Sequence, residues 1–321
     1  MNKDLCIVLT ARMGSTRLPG KAMADVNGRP LIYWILRRLQ GVGNVVLGIT
    51  HEPDDDALVG IADAMGIPVT RWAKGDVVGT IDAAYKQHYK DSRFLLRALG
   101  DMPWLATDLV DRACRVMRKY DAEAFAWALQ PDSLPLYGAR EFPYSISGWQ
   151  KVVEHSTVRE HSDIYFCEHR DQFKVVYHTP PKQIYQRPFY RVEVDYPQDL
   201  ELVRAVAGRI SMLAPLDKII NVLDTNSDIA KLNLSCTEKT GPSHLSYAVK
   251  RAWYHDLEGK PIVDWDDTVW TTPNNKSQPI FCKSGQCFLG LAEDGILFSK
   301  AGRIRGNAYL ACGCGAGLVW K

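Results

Sequence analysis

Nothing in this 321-residue sequence approaches the ~18 consecutive apolar residues that a bilayer span requires. The opening run Leu5-Cys6-Ile7-Val8-Leu9 is of strand length, too short for the apolar core of a secretion signal, and no small-residue cleavage site follows it. These absences predict a cytoplasmic chain with no membrane partner. A surplus of one charge is missing too: the formal net charge is +2, and the signs balance on either side of Gly208. Nucleic-acid backbones are neutralised by a basic surplus, so nucleic acid is not an expected partner. There is no internal repeat and no low-complexity tract, which excludes solenoids and arrays. Of the eight cysteines, Cys6, Cys114, Cys167 and Cys236 are scattered, as suits a reducing compartment.

What is present is an ordinary globular composition, 46% hydrophobic and 24% charged. Strand-like and helix-like patterns alternate from the start. Cys6–Thr10 reads as a buried strand, Pro30–Leu39 as a helix, Val45–Ile49 as a strand and Asp54–Met65 as a helix. Pro68–Arg71, Phe94–Leu99 and Ala122–Leu129 read as further strands, and Asp76–Tyr89 and Thr107–Lys119 as the helices between them. Helical spacing returns at Val152–Glu168. A strand near Phe173–His178, one at Arg191–Val194 and a helix at Pro197–Val206 follow. Such alternation predicts an α/β fold with a mixed, mostly parallel sheet covered on both faces. After Gly208 the pattern changes to one helix at Ser243–Trp253 and then short strand-like pieces. Residues 1–208 are therefore expected as one domain and 209–321 as a smaller C-terminal appendage, mainly β.

Ligands of these sheets bind beyond the carboxyl ends of the strands. That rule puts the loop after the first strand and the loop after Leu99 in one crevice. The first of these loops is Ala11-Arg12-Met13-Gly14-Ser15-Thr16-Arg17-Leu18-Pro19-Gly20-Lys21. Its glycines let backbone amides approach phosphate oxygens, while Arg12, Arg17 and Lys21 can neutralise a leaving pyrophosphate. It is neither a Walker A loop, since Ala22 follows Lys21, nor the dinucleotide fingerprint, since G-x-G-x-x-G is missing. The plain alternative is a basic surface turn.

This string, followed by Asn27-Gly28-Arg29-Pro30-Leu31, resembles the opening of the cytidylyltransferase superfamily. The nearest likeness is to the spore coat polysaccharide biosynthesis protein F type, with acylneuraminate and 3-deoxy-manno-octulosonate cytidylyltransferases as more distant relatives. The resemblance continues at Glu52-Pro53-Asp54-Asp55-Asp56, Gly75-Asp76-Val77-Val78, Arg97-Ala98-Leu99-Gly100-Asp101-Met102-Pro103, Arg159-Glu160-His161 and Val194-Asp195-Tyr196-Pro197-Gln198-Asp199-Leu200-Glu201. It spans about residues 4–206. It implies a nucleotide-diphospho-sugar transferase-like (Rossmann-like) fold and Mg-dependent transfer of a nucleotidyl group, from CTP above other triphosphates, to a sugar or sugar acid. It leaves room for a homodimer.

Asp101 lies just past a strand end and Asp195 ends another strand pattern. Hard carboxylate oxygens with phosphate oxygens are what Mg²⁺ takes, and the resemblance implies that Asp101 and Asp195 hold it. Asp195 could instead cap the helix that starts near Pro197. Lys21, Arg12 and Asp101 are the expected catalytic residues. Ala11, Arg12, Met13, Gly14, Ser15, Thr16, Arg17, Lys21, Asp76, Arg97 and Asp101 form the expected nucleotide site. Asp76 could simply cap its own helix, and a buried Arg97 could pair with an acid rather than reach the nucleotide. Glu193 shares a strand face with Arg191 and Asp195, which reads either as an exposed strand position or as a residue supporting the metal from behind. Arg159 and His161 are expected on the acceptor side by the resemblance.

Cys282, Cys287, Cys312 and Cys314 read either as a structural Zn site or as small buried residues. Two other functions compete with nucleotidyl transfer. One is a glycosyltransferase with a nucleotide-sugar donor on the same fold; the other is a binding or assembly protein without chemistry.

Overall fold

The computed structural model describes residues 2–127, 138–139, 141, 143–169, 172–178, 185, 190–233 and 236, together with backbone strands between 269 and 320. Strand β1 (Asn2–Thr10) leads into the long loop, then a 3-10 turn at Lys21–Met23 and a hairpin of β2 (Asp25–Val26) and β3 (Arg29–Pro30). Helix α1 (Leu31–Gln40) follows, with Leu31, Ile32, Ile35, Leu36 and Leu39 buried. Next come β4 (Gly43–Thr50), α2 (Asp56–Ala64), β5 (Val69–Trp72), α3 (Val77–His88), β6 (Phe94–Leu99), α4 (Thr107–Tyr120) and β7 (Ala124–Trp127). The next elements are β8 (Tyr144–Ser145), α5 (Ile146–His155), α6 (Ile164–Glu168), β9 (Val175–His178), α7 (Pro197–Ala207), α8 (Leu216–Thr225) and α9 (Ser227–Ala230).

The strands join in the order β9-β7-β8-β6-β1-β4-β5, and the backbone of β10 (Val269–Thr272) adds itself antiparallel to β9. β1 pairs in parallel with β4 and β6, β4 with β5, and β7 with β9, while β8 runs against its neighbours β6 and β7. The expected mixed, mostly parallel α/β sheet is therefore present. β1 is central, and Leu5 to Leu9 are fully buried because helices cover both faces. β4 admits α3 so closely that a Cβ at Gly48 would lie 2.6 Å from the Thr80 side chain. β11 (Gln278–Phe281), β12 (Phe288–Glu293), β13 (Ile296–Ser299) and β14 (Gly302–Arg305) form a second, antiparallel sheet. β15 (Ala308–Ala311) and β16 (Gly317–Trp320) pair with each other. No helix among the described residues is long and apolar enough to cross a membrane.

Three sequence expectations change. The helix expected over Val152–Glu168 begins earlier, at Ile146, because the Ser145 hydroxyl accepts from the Gly148 amide at 3.1 Å and starts it there. It stops at His155, so Arg159-Glu160-His161 lie in a turn and not on a helix. Arg191–Val194 is not a regular strand: the Val194 amide bonds to the Asp101 carbonyl at 2.8 Å, so the segment is tied to a loop instead of a strand neighbour. The boundary at Gly208 also moves. Met212, Leu216, Ile219, Ile220, Val222, Leu223 and Ile229 are buried in the same core as α1 and β1. The buried Arg38 of α1 donates to the Met212 and Ala214 carbonyls at 2.9 and 2.6 Å. Residues 209–233 thus pack with the first unit. The helix expected at Ser243–Trp253 lies outside the described residues, as do Cys282, Cys287, Cys312 and Cys314.

Candidate active site

The loop after β1 is shaped by its own backbone and by one buried acid. The Met13 carbonyl accepts from the Ser15 amide at 2.9 Å and from Gly20 at 3.0 Å, and Gly20 takes φ +71°, a conformation that glycine adopts without strain. The Met13 amide donates to Asp55 Oδ1 at 2.7 Å, while Asp55 Oδ2 accepts from the Thr50 amide and hydroxyl at 3.1 and 2.6 Å. Asp55, only 1% exposed, therefore pins the loop to the end of β4. Within the loop the Ser15 hydroxyl accepts from Leu18, the Ala11 amide donates to the Gly48 carbonyl, and Gly14 and Thr16 stand exposed.

The loop after β6 is pressed against the first one. The Gly100 amide donates to the Thr10 carbonyl at 2.9 Å, and a Cβ at Gly100 would stand 2.8 Å from that of Ala11. This close approach delivers Asp101 to Lys21. The Lys21 ammonium donates to Asp101 Oδ2 at 2.7 Å and to Asp195 Oδ1 at 2.9 Å. Arg17 reaches the same Asp195 oxygen at 2.7 Å, its guanidinium 5.2 Å from the Tyr196 ring, and Arg191 takes the other oxygen at 2.8 Å. Residues separated by 174 positions thus converge on one point.

Electrostatics at this point are steep. Burial acts to lower the Lys21 ammonium, but Asp101 and Asp195 outweigh it and hold it above its ordinary value. Burial likewise acts to raise Asp195, yet Lys21, Arg17 and Arg191 keep it below the usual carboxylate range. Glu193 is different: burial, then its neighbours Asp101 and Asp195, push it up to about 8. Carboxylate oxygens of Asp101, Glu193 and Asp195 all lie within 4.8 Å of one another. Among the described residues, the buried Oδ1 of Asp101 has no hydrogen-bond partner. An orphaned carboxylate oxygen beside two more carboxylates fits a hard divalent cation such as Mg²⁺.

Other expected site residues find different partners. Asp76 caps α3, accepting from the Gly79 amide at 2.8 Å, and also accepts from Trp72 Nε1 at 2.8 Å and Arg159 Nε at 2.8 Å. Arg159 also donates to the Val153 carbonyl at 3.1 Å through one of its terminal nitrogens. His161 is half-buried in the same turn. Arg97 pairs with Glu141 at 3.3 Å and Asp163 at 3.5 Å, the structural alternative for a buried arginine. Arg12 crosses the crevice to Glu160 at 3.2 Å, with both side chains about half exposed. Asp195 does not cap α7: Asp199 does, accepting from the Tyr196 amide at 2.9 Å.

Sequence reasoning missed Asp55, Glu160, Arg191 and Asp199, and read Glu193 as exposed or as lying behind the cluster that it joins. Asp199 carried a signal, three residues past the cap position ahead of Pro197. Asp55, one of three consecutive aspartates, carried none that singled it out.

A model of the MobA-like NTP transferase domain matches residues 9–173. The chain belongs to this family. The nucleotidyltransferase class of enzyme follows from that membership, and the matched span contains the phosphate-loop candidate and Asp101 but not Asp195. Among curated relatives, a 3-deoxy-manno-octulosonate cytidylyltransferase of Bdellovibrio bacteriovorus is 26% identical over 251 residues, 70% of this chain and 94% of that protein. The spore coat polysaccharide biosynthesis protein SpsF of Bacillus subtilis is 24% identical over 243 residues, 71% of this chain and 97% of that protein. Among solved structures, a cytidylyltransferase from Leptospira borgpetersenii superposes with a TM-score of 0.64 at 24% identity, covering 72% of this chain and 98% of that one. At that identity the likeness establishes the shared fold.

Proposed function

We propose that this NTP transferase moves CMP from CTP to a sugar or sugar acid, releasing pyrophosphate, with Mg²⁺ held by Asp101 and Asp195 and with Glu193 beside them. The observation that carries the reading is the convergence of Lys21 on Asp101 and Asp195 at 2.7 and 2.9 Å. It joins the cationic loop to acids from two distant segments at the carboxyl end of β6. The base and acceptor classes are supported by the name of the 3-deoxy-manno-octulosonate cytidylyltransferase matched over 94% of its length.

An ammonium has three donors. Lys21 can therefore keep both aspartates and still offer a proton to a phosphate oxygen. Arg12 and Arg17 flank it on the same loop and supply further positive charge for the β- and γ-phosphates. A bound divalent ion would neutralise negative charge on the phosphates that these residues hold. An acceptor oxygen then forms a bond to the α-phosphorus as the bond from that phosphorus to the bridging oxygen of pyrophosphate breaks, and the acceptor proton passes to solvent. Positioning and charge neutralisation account for the rate, without a covalent enzyme intermediate.

The test is a matrix of four nucleoside triphosphates against neutral sugars and sugar acids, with Mg²⁺ or with chelator, read by pyrophosphate release. CTP with a sugar acid and Mg²⁺ is expected to give the largest signal. Release that is indifferent to chelator, or absent with every acceptor, would overturn the reading.

A further inference from the structure

Asp195 is held from behind by a residue well outside the span matched by the family model. Asp199, in the first turn of α7, accepts at Oδ2 from the amides of Asp195 and Tyr196, each at 2.9 Å. Its Oδ1 accepts from Arg191 Nε at 3.1 Å and from Asn233 Nδ2 at 2.8 Å. The same Asn233 amide donates to the Arg191 carbonyl at 3.0 Å. Arg191 in turn grips Asp195 Oδ2 at 2.8 Å. Asn233 is thus bonded to both residues that orient Asp195, one from its backbone side and one from its carboxylate side.

The position of Asn233 is itself determined by packing. Asn226 ends α8, its amide donating to the Val222 carbonyl at 2.8 Å, and α9 then places Ile229 in the main core at 5% exposure. Three residues past α9, Asn233 is 5% exposed, and its carbonyl accepts from the Cys236 amide at 3.0 Å. A buried amide with both bonds directed at one pair of residues restricts how far that pair can move.

We propose that Asn233 is a positioning residue for Asp195, through which the segment after α8 sets the geometry of the reacting centre. This rests on the assignment of Asp195 to that centre. Asn233 acts through others: it fixes Asp199 and Arg191, and they fix Asp195 against Lys21.

The test uses full-length Asn233→Ala, Asn233→Asp and Asn233→Gln proteins. Asn233→Asp keeps the shape but replaces the donor with an acceptor and adds a negative charge facing Asp199 and the Arg191 carbonyl, whereas Asn233→Ala removes the hydrogen bonds without adding charge. The first readout needs no activity: nucleotide-free protein is treated with an amine-acetylating reagent, and modification of Lys21 is followed by mass spectrometry. Lys151, bonded to Glu123 at 2.6 Å far along the chain, is the internal reference. Lys21 is expected to react several-fold faster in Asn233→Ala and Asn233→Asp, with Lys151 unchanged and Asn233→Gln nearer wild type. The second readout is pyrophosphate release, where kcat is expected to fall about tenfold, as when the partners of site ligands are removed, while the acceptor KM stays put.

Equal Lys21 rates in wild type and Asn233→Ala overturn the proposal. So does acceleration of Lys151 together with Lys21 in every variant, which reports loss of fold. A wild-type protein that releases no pyrophosphate removes the reaction assigned above, and the Lys21 rates then decide the positioning role alone.

Discussion

Asp101, Glu193 and Asp195 crowd carboxylates around the Lys21 ammonium, so removing charge of either sign has its own consequence. Lys21→Ala leaves buried acids short of a partner, a change that costs roughly 3–5 kcal/mol in a buried pair. Arg17 and Arg191 still hold Asp195, so the low end of that range is expected. Asp101→Asn acts on Glu193 as well, because it removes one of the negative neighbours that push Glu193 up to about 8. Its stability should fall less than that of Lys21→Ala, because Lys21 loses the charge of Asp101 but keeps Asp195, while kcat should fall by about 10²–10³, the usual loss when a charge-stabilising group is removed. Thermal melts and pyrophosphate release on the two variants check this: an inactive but less destabilised Asp101→Asn beside a more destabilised Lys21→Ala. An Asp101→Asn protein with wild-type kcat would remove Asp101 from the chemistry.

Between elements, the decisive contacts are those that bring separate loops to one place. Arg17 and Lys21 stood out in the sequence as cations of a glycine-bearing loop directly after a buried strand, and both meet Asp195, whereas Arg12 of the same loop pairs with Glu160. Asp101 stood out from its place two residues past β6. Asp55 did not: it is the middle of three aspartates, and only the fold shows which of them turns inward to take the Met13 amide at 2.7 Å. Glu193 was misplaced because its segment was expected as a strand; it follows instead the bond from the Val194 amide to Asp101, which brings Glu193 into the cluster. The role of Asp55 has a measurable consequence. Asp55→Ala removes the acceptor for Met13 and for Thr50 together, freeing the loop while leaving Lys21, Asp101 and Asp195 in place. Loosening a binding loop adds an ordering cost on each encounter, about 0.5–1.5 kcal/mol for each side chain that must be immobilised. KM for the triphosphate should therefore rise several-fold to tenfold or more, with a smaller change in kcat. Steady-state kinetics in both substrates checks it, and an unchanged triphosphate KM would show that the loop holds its shape without Asp55.

For the whole molecule, composition after Gly208 suggested a separate unit, yet α8 and α9 complete the core of the first one. The pattern was hard to read because residues 209–233 carry short helices rather than the alternation seen before them. Burial supplies the physical correction. Leu216, Ile219, Ile220 and Leu223 are each no more than 1% exposed and face the core that contains Leu36 and Leu39. Burying side chains of this kind stabilises a fold by about 1.5–3 kcal/mol each, so these four alone contribute roughly 6–12 kcal/mol. That is comparable to the whole net stability of an ordinary domain, about 5–15 kcal/mol. Arg38 would lose both of its carbonyl partners as well. A chain ending at Gly208, although it keeps Lys21, Asp101 and Asp195 and the entire span of the family match, is therefore expected to aggregate or to lack a cooperative melt. Circular dichroism melting and size-exclusion chromatography of that shortened chain, beside the full-length protein, give the answer. A cooperative, monodisperse product would place the boundary back at Gly208. It would also remove the packing that brings Asn233 to the rear of Asp195.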